Sequence, residues 1–136
     1  MTDNERTEEL KNAEPVDLAR AAVKLFLSKK GIDVKMYDVC EYTSVTDYYV
    51  NVTARSSTHV GALSDDLVDD FSKKGTDALR VEGKRGNSWI LIDFGSLIVN
   101  VFDSESRSFY NFDRLLPQEA ARDISEIAAE VDKQFE

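Results

Sequence analysis

SWILIDFGSLIVNVF, residues 88–102, reads as two β-strands around a glycine. SWILIDF (88–94) and SLIVNVF (96–102) are rich in the branched and aromatic residues that suit a pleated surface. Only Gly95, with or without Ser96, separates them, which is a tight hairpin signal. Side chains alternate along a strand, so Trp89, Leu91 and Asp93 share one side and Ile90 and Ile92 the other. Both sides are apolar, so both faces of the sheet need cover.

Working back toward the N-terminus, LRVEG (79–83) is a short strand. Before it, Val60, Leu63, Leu67, Val68 and Phe71 form the apolar stripe of a helix, with Asp65, Asp66, Asp69 and Asp70 toward water. Ser56 or Ser57 is placed to cap that helix, and Lys73, Lys74 and Gly75 close it. DYYVNVTA (47–54) alternates, with Tyr48, Val50 and Val52 on one face and Tyr49, Asn51 and Thr53 on the other. DVKMYDV (33–39) is a further strand, with Val34 and Met36 on one face. Leu18, Ala22, Leu25 and Phe26 recur at helical spacing after a first-turn Pro15, and Gly31 ends that helix. Residues 1–14 are polar and acidic without periodicity and read as a flexible tail.

Toward the C-terminus, FYNFDRLL (109–116) is dense in aromatics and reads as a short strand or a turn. After Pro117, the spacing of Ala121, Ile124, Ile127, Ala128, Val131 and Phe135 predicts an amphipathic helix. The expected domain is therefore 15–116, with a helical extension over 117–136. Five strands and two main helices predict an α/β (α+β) fold: one mixed sheet with helices mainly on one face. The second face would then meet a protein partner, unless the aromatic segment or the C-terminal helix folds back over it.

The chain has 136 residues and 15.3 kDa, the size of one domain with a core of its own. The 42% apolar and 32% charged content excludes collagen-like and wholly disordered classes. No run approaches a membrane span, and the polar start does not resemble a secretion signal. A single cysteine, Cys40, and a single histidine, His59, point to a reduced, metal-free, cytoplasmic or organellar protein. The net charge of −9 disfavours general nucleic-acid binding and suits a basic protein partner.

Few constellations suggest catalysis. Cys40 and His59 form the one thiol–imidazole candidate, more readily explained as a core cysteine and a surface histidine near a cap. Asp38, Asp47 and Asp93 lack the phosphate-binding element that two-metal chemistry accompanies. EGKRG (82–86) looks like a turn, and the helical aspartates do not follow calcium-loop spacing.

Several motifs stand in a fixed order: LARAAVKLFLSKKGIDV, YDV at 37–39, TDYYV at 46–50, RSSTHVGAL at 55–63, and EG at 82–83. WILIDFGSLIVNVF at 89–102 and RSFYNFDRL at 107–115 complete the set, which spans about Val16 to Leu116. Together they resemble one family, the ribosomal silencing factors, also called Iojap. The resemblance implies a nucleotidyltransferase-like fold without its catalytic carboxylates, no cofactor, and a homodimer in the free state. It implies a non-enzymatic factor that binds the large ribosomal subunit through ribosomal protein fourteen, blocks joining of the small subunit, and represses translation when nutrients are scarce. Sequence-specific nucleic-acid contact and membrane binding are not expected. Some relatives act in large-subunit assembly, which is the alternative role; a nucleotidyltransferase-like enzyme is the remaining one.

Carried over residue by residue, Trp89, Leu91 and Asp93 become candidate partner contacts, with Glu82 as a second rim carboxylate. Phe109, Tyr110 and Arg114 match the late motif and complete that surface or a dimer contact. Asn100 is a further candidate and stands where the family has histidine, so a charge switch near neutral pH is not expected there. Leu116 replaces the family's closing tryptophan, which would make the contact smaller.

Overall fold

The computed structural model describes residues 6–134. Helix α1 (Pro15–Ser28) leads into the antiparallel strands β1 (Ile32–Asp38) and β2 (Tyr48–Ala54). Helix α2 (Ser57–Lys73) crosses over to β3 (Arg80–Glu82), β4 (Trp89–Asp93) and β5 (Leu97–Asp103). Helix α3 (Ser104–Tyr110) follows at once, then a 3-10 turn over Phe112–Leu115, a second over Gln118–Ala120, β6 (Ala121–Arg122) and α4 (Ser125–Gln134).

These strands form one mixed sheet in the order β3-β4-β5-β2-β1-β6. The β2–β5 pair is parallel and sets Asn51 beside Asn100; the remaining pairs are antiparallel. The hairpin forms as its sequence predicts: Gly95 has φ +92°, the conformation a two-residue turn requires at its first position, and Phe94 N–H donates to Leu97 O at 2.8 Å.

One face carries the helices. Ile90, Ile92, Val99, Val101, Val50, Val52, Val34 and Met36 meet the buried stripes of α1 and α2, including Phe26, Leu63, Leu67 and Phe71. Burial of this apolar area is the main driving force for the fold. Helix α4 adds Ile127 to the same core, with Ile124 packed against it, and ties to α1 through Lys24–Glu130 at 3.1 Å. Ser56 caps α2, accepting from His59 N–H at 3.1 Å.

Several expectations change. The sheet has six strands rather than five, because Ala121 pairs with Tyr37 and Arg122 with Met36. The C-terminal helix consequently begins at Ser125, not soon after Pro117; the Asp123 carboxylate accepts from Ser125 N–H at 2.9 Å at its start. Ala121 is therefore a strand residue, and Phe135 lies outside the described residues. The aromatic segment is neither strand nor simple turn: α3 ends at Tyr110, Asn111 turns left-handed at φ +51°, and the 3-10 turn continues from Phe112.

At the end of α1, Lys30 takes the left-handed conformation at φ +67°, whereas Gly31 does not. Gly31 is required for closeness: a Cβ there would stand 2.6 Å from Val52 Cγ2 and 2.9 Å from Phe26 O. The polar segment before α1 is docked where it is described. Thr7 N–H and Leu10 N–H donate to Lys73 O and Lys74 O at the end of α2, and Leu10 is buried. Its first residues, 1–5, lie outside the described range.

Candidate functional site

The second face of the sheet is covered in part by the chain itself. Its strands place Trp89, Leu91 and Asp93 (β4), Ile98, Asn100 and Phe102 (β5), Tyr49, Asn51 and Thr53 (β2), and Asp33, Lys35 and Tyr37 (β1) toward this side. Alternation dictates that grouping. Because α3 leaves β5 directly, residues 104–116 fold back across it as a flap.

Two devices hold the flap. The first is aromatic. Trp89 packs on Phe102 (centroids 5.0 Å apart), Tyr110 (4.9 Å) and Phe112 (6.1 Å), and Phe112 meets Tyr49 edge-on at 5.3 Å. The second is a chain of hydrogen bonds through the buried face. Trp89 Nε1–H donates to Asn100 Oδ1 at 2.9 Å, and Asn100 Nδ2–H to Asn51 Oδ1 at 3.0 Å. Asn51 Nδ2–H then donates to Asp113 Oδ1 at 2.9 Å, where Tyr37 O–H also donates at 2.9 Å. Arg107 closes the chain, with Nε 3.0 Å from Asp113 Oδ2 and Nη1 donating to Asp33 O and Thr53 Oγ1. Among the described residues no buried side-chain polar atom lacks a hydrogen-bond partner, as burial demands.

Burial alone would push the Asp113 carboxyl up, but the Arg107 and Asn51 hydrogen bonds and the guanidinium charge outweigh it and hold the carboxyl below the usual value. Burial first, and then the Asp113 hydrogen bond, push the Tyr37 phenol well up.

The predicted contact residues separate into three groups. Trp89, Phe109 and Tyr110 come together; Phe109 lies edge-on to Tyr110 at 5.1 Å and is 79% exposed. Leu91 is half-buried on β4 between its cross-strand partners Glu82 and Asn100. Asp93 and Glu82 share one cation, Arg80, at 3.6 and 3.5 Å, so their charges are partly met within the chain. Asp93 also accepts from Gly95 N–H at 2.7 Å and so braces the hairpin turn. Asn100 is fully buried and uses its amide inside the ladder; it offers no surface for a partner and positions Trp89 instead. Arg114 is exposed on the flap, and Leu116 packs with Tyr49, Tyr37, Val39 and Ala120. Arg107 and Asp113 were visible only as letters of the RSFYNFDRL motif. Their ion pair depends on the turn at left-handed Asn111, and the Asn51–Asn100 contact on the β2–β5 register; the strand and helix periodicities report neither.

The other candidate chemistries resolve locally. His59 spends both ring nitrogens on backbone, Nδ1 accepting from Arg55 N–H and Nε2 bonded to Lys29 O, each at 2.9 Å. Cys40 is exposed rather than a core residue, and the adjacent Asp38 raises its thiol pKa, opposite to what a nucleophile needs. EGKRG is the β3–β4 connection, where Gly83 has φ +93° and a Cβ would collide with Trp89 O. Asp69 and Asp70 pair with Lys73 and Lys74 one turn on, and Asp65 with Lys84. Among the described residues no group of three or more His, Cys, Asp or Glu is placed to hold a metal ion. No described helix is long and apolar enough to cross a membrane.

A mixed sheet with helices on one face and an aromatic flap on the other places the chain in a class of small α+β proteins with solved members. The crystal structure of a Chromobacterium violaceum protein superposes with a TM-score of 0.73 at 25% identity, over 75% of this chain and 85% of that one. The chain belongs to the ribosomal silencing factor family: a family model described as ribosomal silencing factor during starvation matches residues 12–136. The ribosomal silencing factor RsfS of Haemophilus influenzae is 34% identical over 86 residues, 63% of this chain and 84% of that protein. A mouse (Mus musculus) protein named mitochondrial assembly of ribosomal large subunit protein 1 is 27% identical over 112 residues, 79% of this chain and 49% of that protein.

Proposed function

We propose that this chain silences ribosomes by occupation, without turning over a substrate. It binds the large ribosomal subunit through ribosomal protein fourteen, on the side where the small subunit docks. Joining is then blocked and translation falls when nutrients are scarce. The free protein is a cytoplasmic homodimer.

One observation carries the reading: Trp89, Tyr110 and Phe109 form an aromatic cluster on the face opposite the helices, with Phe109 and Tyr110 exposed and Trp89 partly buried. Aromatic anchors held rigid from beneath are the usual make-up of a protein-binding hot spot. The net charge of −9 adds attraction toward a basic ribosomal protein and repulsion from bare RNA. Leu91, two residues from Trp89 on the same side of β4, and Arg114, exposed elsewhere on the flap, are secondary contacts, and Asp93 and Glu82 would exchange Arg80 for a partner's cation.

Sedimentation of the protein with isolated subunits tests this. It should travel with the large subunit and lower the fraction of joined ribosomes. Trp89→Ala should weaken binding by about thirtyfold, roughly 2 kcal/mol. Unchanged binding would remove Trp89 from the contact. The mouse relative's name favours a second reading, action during large-subunit assembly. A sucrose gradient separates the two, since only loss of an assembly factor accumulates subunit precursors.

A further inference from the structure

A second feature of the flap lies beyond the Trp89 cluster. Across Phe112 from Trp89, a groove of about 380 Å³ opens between the flap and the loop that joins β1 to β2. Val39, Tyr49, Phe112, Leu116 and Pro117 contribute to its lining, together with Tyr42 and Leu115. Tyr42 is 52% exposed and Leu115 77%, and Val45 on the same loop is 65% exposed. Among the described residues these three large apolar side chains stay more than half exposed, although the loop is well tied down: Val39 N–H donates to Asp47 O at 2.8 Å, and Tyr42 and Thr43 N–H to Val39 O. A fixed loop that holds apolar side chains outward is a formed surface and not a collapsed one.

The loop side of the groove is acidic, while the flap side carries Arg114. Glu41 and Asp47 lie on this loop and form no ion pair among the described residues, whereas Asp38 is met by Arg122 at 3.7 Å. No charged side chain lines the groove itself. Arg114, next to Leu115, lines the neighbouring cavity with Lys35 and Tyr37. An apolar slot walled by a loop that carries two carboxylates without ion pairs matches a segment that carries a bulky apolar side chain flanked by lysine or arginine.

We infer that this groove is a second docking site, which takes an apolar side chain from a basic segment of a protein on the large ribosomal subunit. The inference rests on the proposed ribosomal function and extends its surface across Phe112 to the β1–β2 loop. Two separate anchor points would fix the orientation of the bound factor, which a single aromatic cluster leaves free to rotate.

The test uses the full chain and isolated large subunits. Leu115→Ser and Tyr42→Ser alter exposed side chains, so melting curves should match the parent. Each should weaken co-sedimentation about tenfold. Glu41→Lys with Asp47→Lys should weaken it further at low salt and flatten its salt dependence. If the parent and Trp89→Ala behave as expected but the groove variants bind like the parent, the groove is no docking site and the ribosomal reading stands. If the parent does not bind, both fall together. If Leu115→Ser turns a dimer into a monomer without changing subunit binding, the groove is filled by a second copy and the inference is overturned.

Discussion

Asp113→Ala removes the anion on which four hydrogen bonds converge, from Tyr37, Asn51 and, twice, Arg107. Arg107 would keep Asp33 O and Thr53 Oγ1 as acceptors, but its nearest other carboxylate, on Asp33, is 3.9 Å away. Stripping the partner from a buried charge costs about 3–5 kcal/mol. The Arg107 side chain is 10% exposed and that of Asp113 23%, so water recovers part of the loss and about 3 kcal/mol is expected. Urea unfolding measures it. The pH dependence supplies an independent check. The folded-state pKa of Asp113 is lowered, so its contribution is complete above the ordinary carboxylate value and fades as pH falls through the depressed one. Asp113→Ala should therefore lose most stability near neutrality and progressively less, relative to the parent, in acid below about pH 4. Because Trp89 is the only tryptophan, its fluorescence reports whether the ladder reaches the indole; loss of the flap anchor should shift emission to the red. A stability change under about 0.5 kcal/mol, the size of an ordinary surface substitution, would refute the network's role. So would an unchanged acid limb.

Gly31→Ala should destabilise by about 1–3 kcal/mol, because the added methyl meets Val52 and the Phe26 carbonyl, neither of which can move freely; a melt within error of the parent would show that the α1–β1 connection can shift. Ser56→Ala should cost about 1 kcal/mol by leaving the His59 N–H without its cap, and Ser56→Asp should restore it; denaturant midpoints compare the three.

Much of the fold was legible because its signals are local. Alternation in residues 88–102 and 47–54 reports strands directly, and helical spacing from Leu18 and Val60 reports α1 and α2. The misread segments are those whose conformation depends on distant partners. Ala121–Arg122 has helical spacing with Ile124 and Ile127, yet Met36 and Tyr37 offer a strand edge that claims its backbone. Leu10 sits in a polar run without periodicity, yet it joins the core, and the carbonyl that accepts its N–H lies at the end of a helix more than sixty residues later. The aromatic segment follows the same rule: FYNFDRLL carries no regular period because a short helix, a left-handed Asn111 and a 3-10 turn interrupt one another.

The sequence by itself determined the order of elements from α1 through β5, the hairpin, the faces of the central strands and the family, since each is written in spacing or in an ordered set of motifs. Tertiary structure alone decided which candidate residues face a partner. Asn100 moved from surface to interior once parallel pairing set it beside Asn51, and Arg107 with Asp113 emerged as the clasp of the flap. The physical reason is range. Backbone periodicity is set by neighbours within a turn or two, whereas burial, hydrogen-bond completion and charge pairing are settled by groups that meet only when the chain closes on itself.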